Sequence, residues 1–513
     1  MTIMNILYGS HTTLNHFSQH RTNTNILKLV YRIVYLALNH PFTKYPGPVL
    51  AKFTNLYGAY HAWKGDIHLD MHRCHLKYGD RVRYAPDRIL INTPQALHDI
   101  YGHGAPVRKF PGYQALSSHA ANTLTMSDKV QHALRRRVLS QAFSESSLRM
   151  LEPAIRSRVD RFCQFIRDQR APEEKWTTPL DMARRFTDLA FDLMTAVTFD
   201  MDYDTIQEPR FRYVVEVIEA SNIRLGVLLQ ASGLSFRGLD KLLFPGSAKS
   251  AARFVKFLRR LLHERLQREK TDGRDIFSFL QRCKDPDTGN GLSPRDISSE
   301  TATFIVAGSD TTSTTLASLA HYLTGSSRCY RRAAEEVRTT FASVDEIHFG
   351  PKLNSCVFLR ACLDEAMRIT PPGGASLWRE VEHQGAVIDG DFVPAGYEVG
   401  CSIYAMHRSP KNWEDADRFL PERWIERSRM TVGQRQPYFP FNIGPRSCVG
   451  KPLALAEVML TFARLLWEFD FRRAHDDEMW WEAGDVDPAE YVLKDHVTGQ
   501  KEGPLLCFRP RIC

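Results

Sequence analysis

The residue best suited to chemistry in this chain is a cysteine in a glycine-rich loop. Cys448 lies in the segment FPFNIGPRSCVG, residues 439–450, and a helical pattern begins directly after it. A helix N-terminus stabilises a thiolate through its free N–H groups and the positive end of its dipole. Because a thiolate binds metals and attacks electrophiles, the loop suits metal ligation or nucleophilic chemistry. A buried, unreactive cysteine in a tight turn is the alternative.

The neighbours of Cys448 favour a large flat ligand. Gly444 and Gly450 let the backbone approach such a ligand closely, and Arg446 could pair with a carboxylate on it. With Phe441 they form the pattern FxxGxRxCxG, which is matched by chance on the order of once in ten million windows. The pattern resembles the haem-binding loop of the cytochrome P450 monooxygenases. The resemblance implies that Cys448 is the axial thiolate ligand of haem iron. We expect no other metal site. The resemblance also implies contacts to haem b from Phe441, Gly444, Arg446 and Gly450.

A second polar cluster lies in the middle of a long helical pattern. The segment AGSDTT, residues 307–312, places Asp310 beside Thr311, although Gly, Ser, Asp and Thr are poor residues for a helix interior. A polar kink, tolerated because Thr back-bonds to carbonyls, is the structural interpretation. The resemblance implies the family's acid–alcohol pair, in which Asp310 and Thr311 relay protons to O2 held in a groove near Gly308. This interpretation predicts an enzyme that activates O2.

A charged pair precedes the cysteine loop. Glu365 and Arg368 in CLDEAMRITPP share one helix face at i, i+3. Such a pair is usually a solvent-facing ion pair of little consequence. With Arg423 in the later segment PERW, the pair resembles the buried Glu–Arg–Arg network of the P450 family. The resemblance implies a structural role that fixes the haem side of the fold.

Further basic residues are predicted to contact the haem propionates. In the segment KVQHALRRRVLSQAF, Arg136 stands where the family has an arginine and His132 where it usually has a tryptophan. Arg379 in SLWREV also matches a family propionate position. On a helix the three consecutive arginines point about 100° apart, so we expect Arg135 and Arg137 to face solvent or a partner.

The elements that carry these residues predict a predominantly α-helical α+β protein. Helical patterns dominate residues 129–340, and the helix with the acid–alcohol pair is expected from Pro294 to about Leu323. Residues 81–97 predict two short strands followed by a helix, and residues 386–399 predict a hairpin with an Asp-Gly turn. The resemblance implies the P450 fold, with a long central helix over the haem and a small β-rich region.

The composition is that of a packed globular protein. Of 513 residues, 43% are hydrophobic and 25% are charged, which excludes general disorder. Ten cysteines without a CxxC pair argue against a disulfide scaffold and against structural zinc. The net charge of +8 fits a solvated surface, an acidic protein partner or an anionic membrane face. Because Lys and Arg are scattered, we expect no nucleic-acid partner.

The N-terminal region predicts the domain organisation. Residues 1–25 are expected to be a polar tail, residues 26–43 a short apolar membrane-associated segment, and residues 44–513 a single haem-thiolate domain. The apolar stretch is shorter than the roughly 20 residues of a spanning helix, so it is either an interfacial helix or a packed surface helix. The resemblance to microsomal members implies the cytosolic face of the endoplasmic reticulum membrane, with transmembrane anchoring left open.

The resemblance extends over about residues 44–510 and is strongest to fungal members of natural-product pathways. It implies a monooxygenase that inserts one oxygen atom of O2 into an apolar small molecule, with electrons from NADPH through a P450 reductase. Two alternatives remain, which are a same-fold haem enzyme catalysing rearrangement or dehydration without O2, and a non-catalytic haem sensor or electron carrier. The expected pocket walls are Phe110, Tyr113, Phe304, Ala307 and Leu377.

Overall fold

The structure is a computed structural model that describes residues 27–117, 121–268, 273–427, 437–476 and 488–511. Helices dominate it and the sheets are small, so the predicted helical α+β class is confirmed. The predicted polar tail at residues 1–25 lies outside the described residues.

The helices enclose the chain's centre and form most of its surface. They are α1 (27–34), α2 (Leu56–Lys64), α3 (Ile67–Tyr78), α4 (Pro94–Tyr101), α5 (Lys129–Gln141), α6 (Glu145–Asp168), α7 (Met182–Phe199), α8 (Tyr213–Gln230), α9 (Leu239–Leu243), α10 (Pro245–Gln267), α11 (Ile276–Arg282), α12 (Pro294–Gly325), α13 (Ser327–Thr340), α14 (Pro351–Asn354), α15 (Val357–Ile369), α16 (Ile403–His407), α17 (Glu422–Arg427) and α18 (Lys451–Glu468).

The strands form one five-stranded sheet, in the order β1-β2-β8-β5-β3, and three smaller sheets, β4-β12-β9, β6-β7 and β10-β11. They are β1 (Arg81–Ala85), β2 (Arg88–Ile91), β3 (Val107–Lys109), β4 (Leu180–Asp181), β5 (Arg379–Val381), β6 (Ala386–Ile388), β7 (Asp391–Val393), β8 (Glu398–Gly400), β9 (Phe469–Arg473), β10 (Leu493–Asp495), β11 (Gly499–Lys501) and β12 (Leu505–Pro510).

The central helix α12 begins at the predicted residue. Ser293 caps it by accepting from the Asp296 backbone N–H, and the Asp296 side chain completes the capping box. Pro294 occupies the first turn, where its missing N–H costs no hydrogen bond. The helix ends at Gly325, two residues beyond the prediction, and packs against α7, α15 and α18. Its middle therefore lies inside the protein.

The strand predictions are confirmed for the two N-terminal strands and corrected in part for the hairpin. β1 and β2 pair antiparallel and α4 follows them. In the hairpin, β6 and β7 flank a turn in which Asp389 and Gly390 have φ of 49° and 83°, the backbone of a type I′ turn. Only residues up to Val393 belong to it, because β8 joins β2 and β5 in the five-stranded sheet.

The N-terminal segment is helical at the protein surface. α1 continues into a π-helical turn, Tyr35–Asn39, and its apolar side chains are largely exposed, with Leu27 at 75% and Tyr31 at 74%. Leu36 is buried instead, and its carbonyl accepts a hydrogen bond from Arg83. Among the described residues, no helix has both the length and the apolar character that crossing a membrane requires.

Candidate active site

The cysteine loop has a fixed backbone that ends at the N-terminus of α18. The Cys448 N–H donates to the Phe441 carbonyl at 2.8 Å, and the Ser447 N–H donates to the Gly444 carbonyl at 3.1 Å. Gly444 has φ of +67°, and a Cβ there would lie 2.0 Å from the Tyr101 carbonyl oxygen. No other residue fits that position without moving the backbone.

Cys448 is the most accessible of the cysteines that the structure describes. Of the nine cysteines that the structure describes, Cys448 alone is exposed. Protein atoms nevertheless surround it closely enough for desolvation to raise the pKa of its thiol, against the backbone N–H groups of Gly450 and Lys451 and the charge of Arg136. No group of three or more His, Cys, Asp and Glu side chains in the described ranges is placed to hold a metal ion. A metal at Cys448 would therefore bring its other ligands with a cofactor.

Three of the predicted propionate residues come together in one buried cluster. His132 and Arg379 are 3% and 4% exposed, and Arg446, Arg379 and Lys109 are all close enough to lower the pKa of His132. Burial is the largest cause of that lowering, to about 3, so His132 is neutral near pH 7. A neutral imidazole offers one N–H donor, as the indole usual at this position does.

Arg446 and Arg379 donate to backbone carbonyls, and Arg379 also hydrogen-bonds the Tyr113 hydroxyl. Arg446 donates to the carbonyls of Met126 and Ser127 at 2.7 and 3.2 Å, and Arg379 to those of Leu377 and Trp378. Neither makes an ion pair with a carboxylate in the part of the chain that the structure describes. A buried and a half-buried cation with no carboxylate within ion-pair distance among the described residues fit a ligand that carries carboxylates, as haem does.

Arg136 lies between His132 and the cysteine loop. Its guanidinium donates to the Ser447 carbonyl at 2.5 Å, and its charge acts on both Cys448 and His132. Arg136 therefore ties the cysteine loop to α5 and favours the thiolate. It lies one helical turn after His132, on the same face of α5, and its propionate contact stays a prediction.

The predicted Glu–Arg–Arg network is formed. Glu365 and Arg368 are fully buried, and their side chains meet in two hydrogen bonds of 2.9 Å. Arg423 donates to Glu365 at 3.0 Å, and the Trp424 indole donates to it at 2.9 Å. The pairing in this network is confirmed, and the usual solvent-facing ion pair is excluded.

The network is connected to the cysteine loop through α16. Arg368 donates to the carbonyl of His407 at 2.8 Å, and the Nε2 atom of His407 accepts from the Phe439 N–H at 3.0 Å. Burial lowers the pKa of His407 well below its usual value, so the ring is neutral and can accept this bond. The Glu365–Arg368–Arg423 network therefore fixes the segment that leads to Cys448, through the backbone and the ring of His407.

Asp310 and Thr311 point in different directions from α12. The Thr311 hydroxyl lies at the wall of an internal cavity and donates to the Ala307 carbonyl at 2.7 Å. Asp310 is 4% exposed, and its Oδ2 atom accepts from Asn222 at 3.0 Å and from Thr498 at 2.7 Å. The acid is therefore held by α8 and by the turn between β10 and β11.

The surroundings of Asp310 favour proton exchange. Burial raises its pKa, while Lys501, Thr498 and Asn222 stabilise the ionised form. Burial also lowers the pKa of Lys501, which lies near Glu219 as well as Asp310. Opposed effects of this kind bring a carboxyl group toward the range in which it can both take up and release a proton.

Gly308 serves helix packing. A Cβ at this position would lie 2.4 Å from the sulfur of Met194 on α7, so the glycine allows α12 and α7 to approach closely. Gly308 itself is absent from the cavity lining, whereas Ala307 and Thr311 of the same segment contribute to it, and the groove for O2 in this segment stays a prediction.

The cavity beside Thr311 has a volume of about 750 Å³ and a mostly apolar wall. One face of α12 contributes Thr303, Val306, Ala307 and Thr311, which recur at helical spacing. The opposite walls come from α8, α10 and residues 113–117, 373–378 and 495–498, together with Asn122 and Leu124. The cavity thus brings an apolar chamber to the hydroxyl of Thr311.

The sequence as a whole identifies the family to which this site belongs. A model of the family described as Cytochrome P450 matches residues 45–484. The chain belongs to the cytochrome P450 family. It is 45% identical to "Cytochrome P450 monooxygenase poxM" of Penicillium oxalicum, over 98% of this chain and 95% of that protein. It is 40% identical to "Cytochrome P450 monooxygenase atnE" of Emericella nidulans, over 92% of each.

A solved structure supports the fold. The crystal structure of the cytochrome P450DA heme domain superposes with a TM-score of 0.71 at 19% identity, covering 91% of this chain and 98% of that one. The chain is a haem-thiolate monooxygenase of the P450 family. The exposed Cys448 and the cations near it fit haem, so the observed donor residues and the family agree.

Two of the predicted pocket residues do not line the P450 cavity. Tyr113, Ala307 and Leu377 do so. Phe110 instead packs against Arg88, with 4.7 Å between the guanidinium carbon and the ring centre. Phe304 lies one residue beyond the cavity face of α12 and makes an edge contact with Phe143. Sequence reasoning also missed wall residues, namely Leu225, Leu229, Leu258, Leu262 and Val497.

The expectation is corrected for Arg135 and confirmed for Arg137. Arg135 is largely buried and pairs with Asp296 at 2.7 Å and Glu300 at 3.3 Å, because the start of α12 carries acids beside α5. Arg137 is exposed to solvent, as expected, and pairs with Asp285 at 2.8 Å.

Proposed function

We propose that this P450 oxidises an apolar small molecule with one oxygen atom of O2, in a step of fungal secondary metabolism. The observation that carries the proposal is the position of the Thr311 hydroxyl, at the wall of a mostly apolar cavity with the buried Asp310 behind it. A proton donor facing such a chamber suits oxygen chemistry on a substrate that lacks charge.

Haem b would be held by the loop and the buried cations. Cys448 would ligate the iron, with Phe441, Gly444 and Gly450 shaping the space around its sulfur. Arg379 and Arg446 would pair with the propionates, and the neutral His132 would donate its N–H to one of them. When bound in this way, haem supplies reductive activation of O2.

The roles of Asp310 and Thr311 follow from their partners. Thr311 would hold a proton at the cavity wall, where the reacting oxygen must receive it. Asp310 would replenish that proton, because its raised pKa and its contact with the Lys501 and Glu219 region provide a route toward solvent. Asn222 and Thr498 would orient Asp310 and are positioning residues.

The cavity supports a substrate of moderate size. Its volume of about 750 Å³ lies within the usual range of pockets for small organic ligands. Leu225 and Leu229 of α8, Leu258 of α10 and Val497 contribute apolar surface opposite α12. An uncharged, largely apolar compound fits such a wall better than a charged metabolite does.

Electrons would come from NADPH through a P450 reductase that docks on the cysteine side. Lys451 begins α18 directly after the loop and is exposed. Its charge is available to an acidic partner surface, which steers association. A Lys451→Glu variant should slow reduction by the reductase more at low than at high ionic strength. An equal effect at both ionic strengths would show that Lys451 is not part of the surface that docks the reductase.

Exposed apolar side chains on neighbouring elements would contact a membrane surface. α2 packs against α8. Ala59, Val227 and Ala231 form a buried apolar cluster between these two helices, and the segment after α8 packs against it. The exposed residues on these elements and on the N-terminal segment are Leu27, Tyr31, Leu38, Val49, Leu50, Tyr60, Trp63, Phe236 and Leu242. We propose the cytosolic face of the endoplasmic reticulum. Flotation with phosphatidylcholine vesicles should be lost when Tyr60 and Trp63 are both changed to Ser.

One experiment separates this function from its alternatives. The haem-loaded chain, a P450 reductase and NADPH are incubated with a library of apolar compounds, and O2 uptake, NADPH oxidation and products are measured. A monooxygenase consumes O2 and NADPH and adds oxygen to a substrate. Turnover of a compound in the absence of both O2 and NADPH would indicate an enzyme that catalyses rearrangement or dehydration. If no compound is turned over, a sensor or electron carrier is favoured.

A further inference from the structure

A buried glutamine at the end of α8 forms part of the cavity wall. Gln230 is 5% exposed and is the last residue of that helix. Its Oε1 atom accepts hydrogen bonds from the Arg88 guanidinium at 3.1 Å and from the Trp378 indole at 3.2 Å. Guanidinium and indole N–H groups can only donate. These two contacts therefore determine which end of the Gln230 amide is the oxygen.

Arg88 holds the Gln230 side chain in this orientation. Arg88 is 3% exposed and pairs with Glu398. It also donates to the backbone carbonyl of Gln230 at 2.8 Å, so that it contacts the residue at two points. A charged donor on Oε1 polarises the amide, and this strengthens the N–H groups at its other end.

The Nε2 group of Gln230 is open to the cavity. It makes no hydrogen bond within the described part of the chain, yet it is not a fully enclosed atom. Because the residue is buried and lines the cavity, these two N–H donors face whatever occupies that space. A donor that loses water without gaining an acceptor costs free energy, so a ligand that supplies an acceptor is favoured.

Other polar side chains of the same cavity already have protein partners. The hydroxyls of Thr303 and Thr311 donate to backbone carbonyls of α12. The Nδ2 group of Asn222 donates to Asp310 and Thr498. The amide of Gln230 differs from these donors because its oxygen is occupied and its nitrogen is not.

The wall beside this amide is apolar. Trp378 belongs to a packed cluster whose other cavity-lining members include Ala62, Ile67, Tyr113, Leu116, Leu229 and Ala375. In such surroundings a single pair of fixed donors contributes strongly to the choice of ligand, because a misplaced polar group would remain unpaired.

We propose that Gln230 is a specificity-determining residue that donates a hydrogen bond to a carbonyl oxygen of an otherwise apolar, uncharged substrate. The inference rests on the proposed function and names the polar group that its substrate carries. A ketone, ester or amide carbonyl fits because the open end of Gln230 offers donors only, and a carbonyl oxygen brings no donor that would need a partner of its own.

The proposal is tested by ligand binding to the full-length, haem-loaded chain without reductase or NADPH. Equilibrium dialysis gives the dissociation constants of two matched pairs, which are cyclododecanone with cyclododecane and 5α-androstan-3-one with 5α-androstane. Gln230→Glu retains an oxygen for Arg88 and Trp378 but presents a second oxygen to the cavity in place of Nε2. The ratio of ketone affinity to hydrocarbon affinity should therefore fall about tenfold, the effect of losing one hydrogen bond.

Two further variants complete the experiment. Gln131→Glu makes the same chemical change at an exposed position in the first turn of α5 and should leave the affinity ratio unchanged. If Gln230→Glu gives no soluble protein, Gln230→Met is measured in the same way. Its side chain has a similar length and no N–H donor, so the ratio should fall for this variant too.

Two results would overturn the proposal. An unchanged affinity ratio in the Gln230 variant would mean that the amide does not contact the carbonyl. A wild-type chain that binds neither ketone would contradict recognition of a carbonyl in this cavity. The proposed function fails separately, if no compound of the library described above is oxidised, because the dialysis experiment requires no electrons.

Discussion

The carboxylate of Asp310 accepts a hydrogen bond from the Thr498 hydroxyl at 2.7 Å, while the adjacent Thr311 hydroxyl donates to the Ala307 carbonyl. These two residues are adjacent in the sequence, but their side chains make contacts on different sides of α12. Asp310 is tied to the turn after β10, and Thr311 faces the cavity. A proton that passes between them requires a water molecule or a rotation of one side chain.

The separation of acid and alcohol predicts uncoupling when the alcohol is removed. In Thr311→Ala, NADPH oxidation should continue, but less product and more hydrogen peroxide should form per NADPH, because the proton is not delivered at the cavity wall. Thr311→Ser keeps the hydroxyl and should retain most of the coupling. Peroxide and product are measured per NADPH. Unchanged coupling in Thr311→Ala would show that Thr311 only shapes the helix.

The Thr498 contact predicts a shift in pH dependence. The Thr498 hydroxyl stabilises ionised Asp310 and so lowers a pKa that burial raises. Thr498→Val should therefore raise the pKa of Asp310 further, and the limb of the kcat profile that reports loss of its proton should move to higher pH. Asp310→Asn should abolish that limb and slow turnover about a hundredfold or more. If Thr498→Val has the same pH profile as the wild type, Asp310 does not take part in proton delivery.

The buried network predicts a folding defect. Glu365 and Arg368 have no exposed surface, so removing either partner leaves a buried charge that costs about 3–5 kcal/mol. Arg368→Ala and Glu365→Ala should give less soluble protein and less bound haem. Arg149→Ala, which breaks an exposed pair with Glu145, is the matched control. Soluble, haem-loaded Arg368→Ala with wild-type thermal stability would rule out the structural role.

Glu457 on α18 predicts that stability depends on pH. The side chain is 1% exposed, and burial raises its pKa to about 8 against a smaller opposite effect of the Thr312 hydroxyl. The folded protein therefore keeps this proton between the unfolded-state pKa near 4.5 and pH 8. Over that interval the free energy of unfolding should fall as pH rises, because the unfolded chain binds fewer protons.

Glu457→Gln removes that dependence. The variant should match the wild type in thermal stability near pH 4.5 and exceed it near pH 8, with a difference of at most a few kcal/mol. Thermal midpoints of both haem-loaded proteins across this range give the comparison. A constant difference between the two curves would mean that Glu457 is ionised in the folded protein throughout.

Local chemistry made parts of this structure predictable from the sequence. The start of α12 follows from Ser293, Pro294 and Asp296, which supply their own capping contacts. The β6–β7 turn follows from Asp389 and Gly390, whose positive φ values few residue types adopt. In these cases the residues that determine the structure are adjacent in the chain.

The rest depends on partners that are distant in the sequence. Thr303 and Phe304 are equally compatible with a helix, and only the packing of α5 and α8 decides which of them faces the cavity. Arg135 is identified as an internal ion-pair residue only when α12 is placed beside α5.

The central claim is that Cys448 ligates haem iron as a thiolate, and one spectrum tests it most directly. The reduced, carbon monoxide-bound wild type should show the red-shifted absorption band that a thiolate ligand produces, and Cys283→Ala, which alters a partly exposed cysteine, should keep it. Cys448→Ala should lose the band. Its persistence in Cys448→Ala, or its absence from the haem-loaded wild type, would contradict the account.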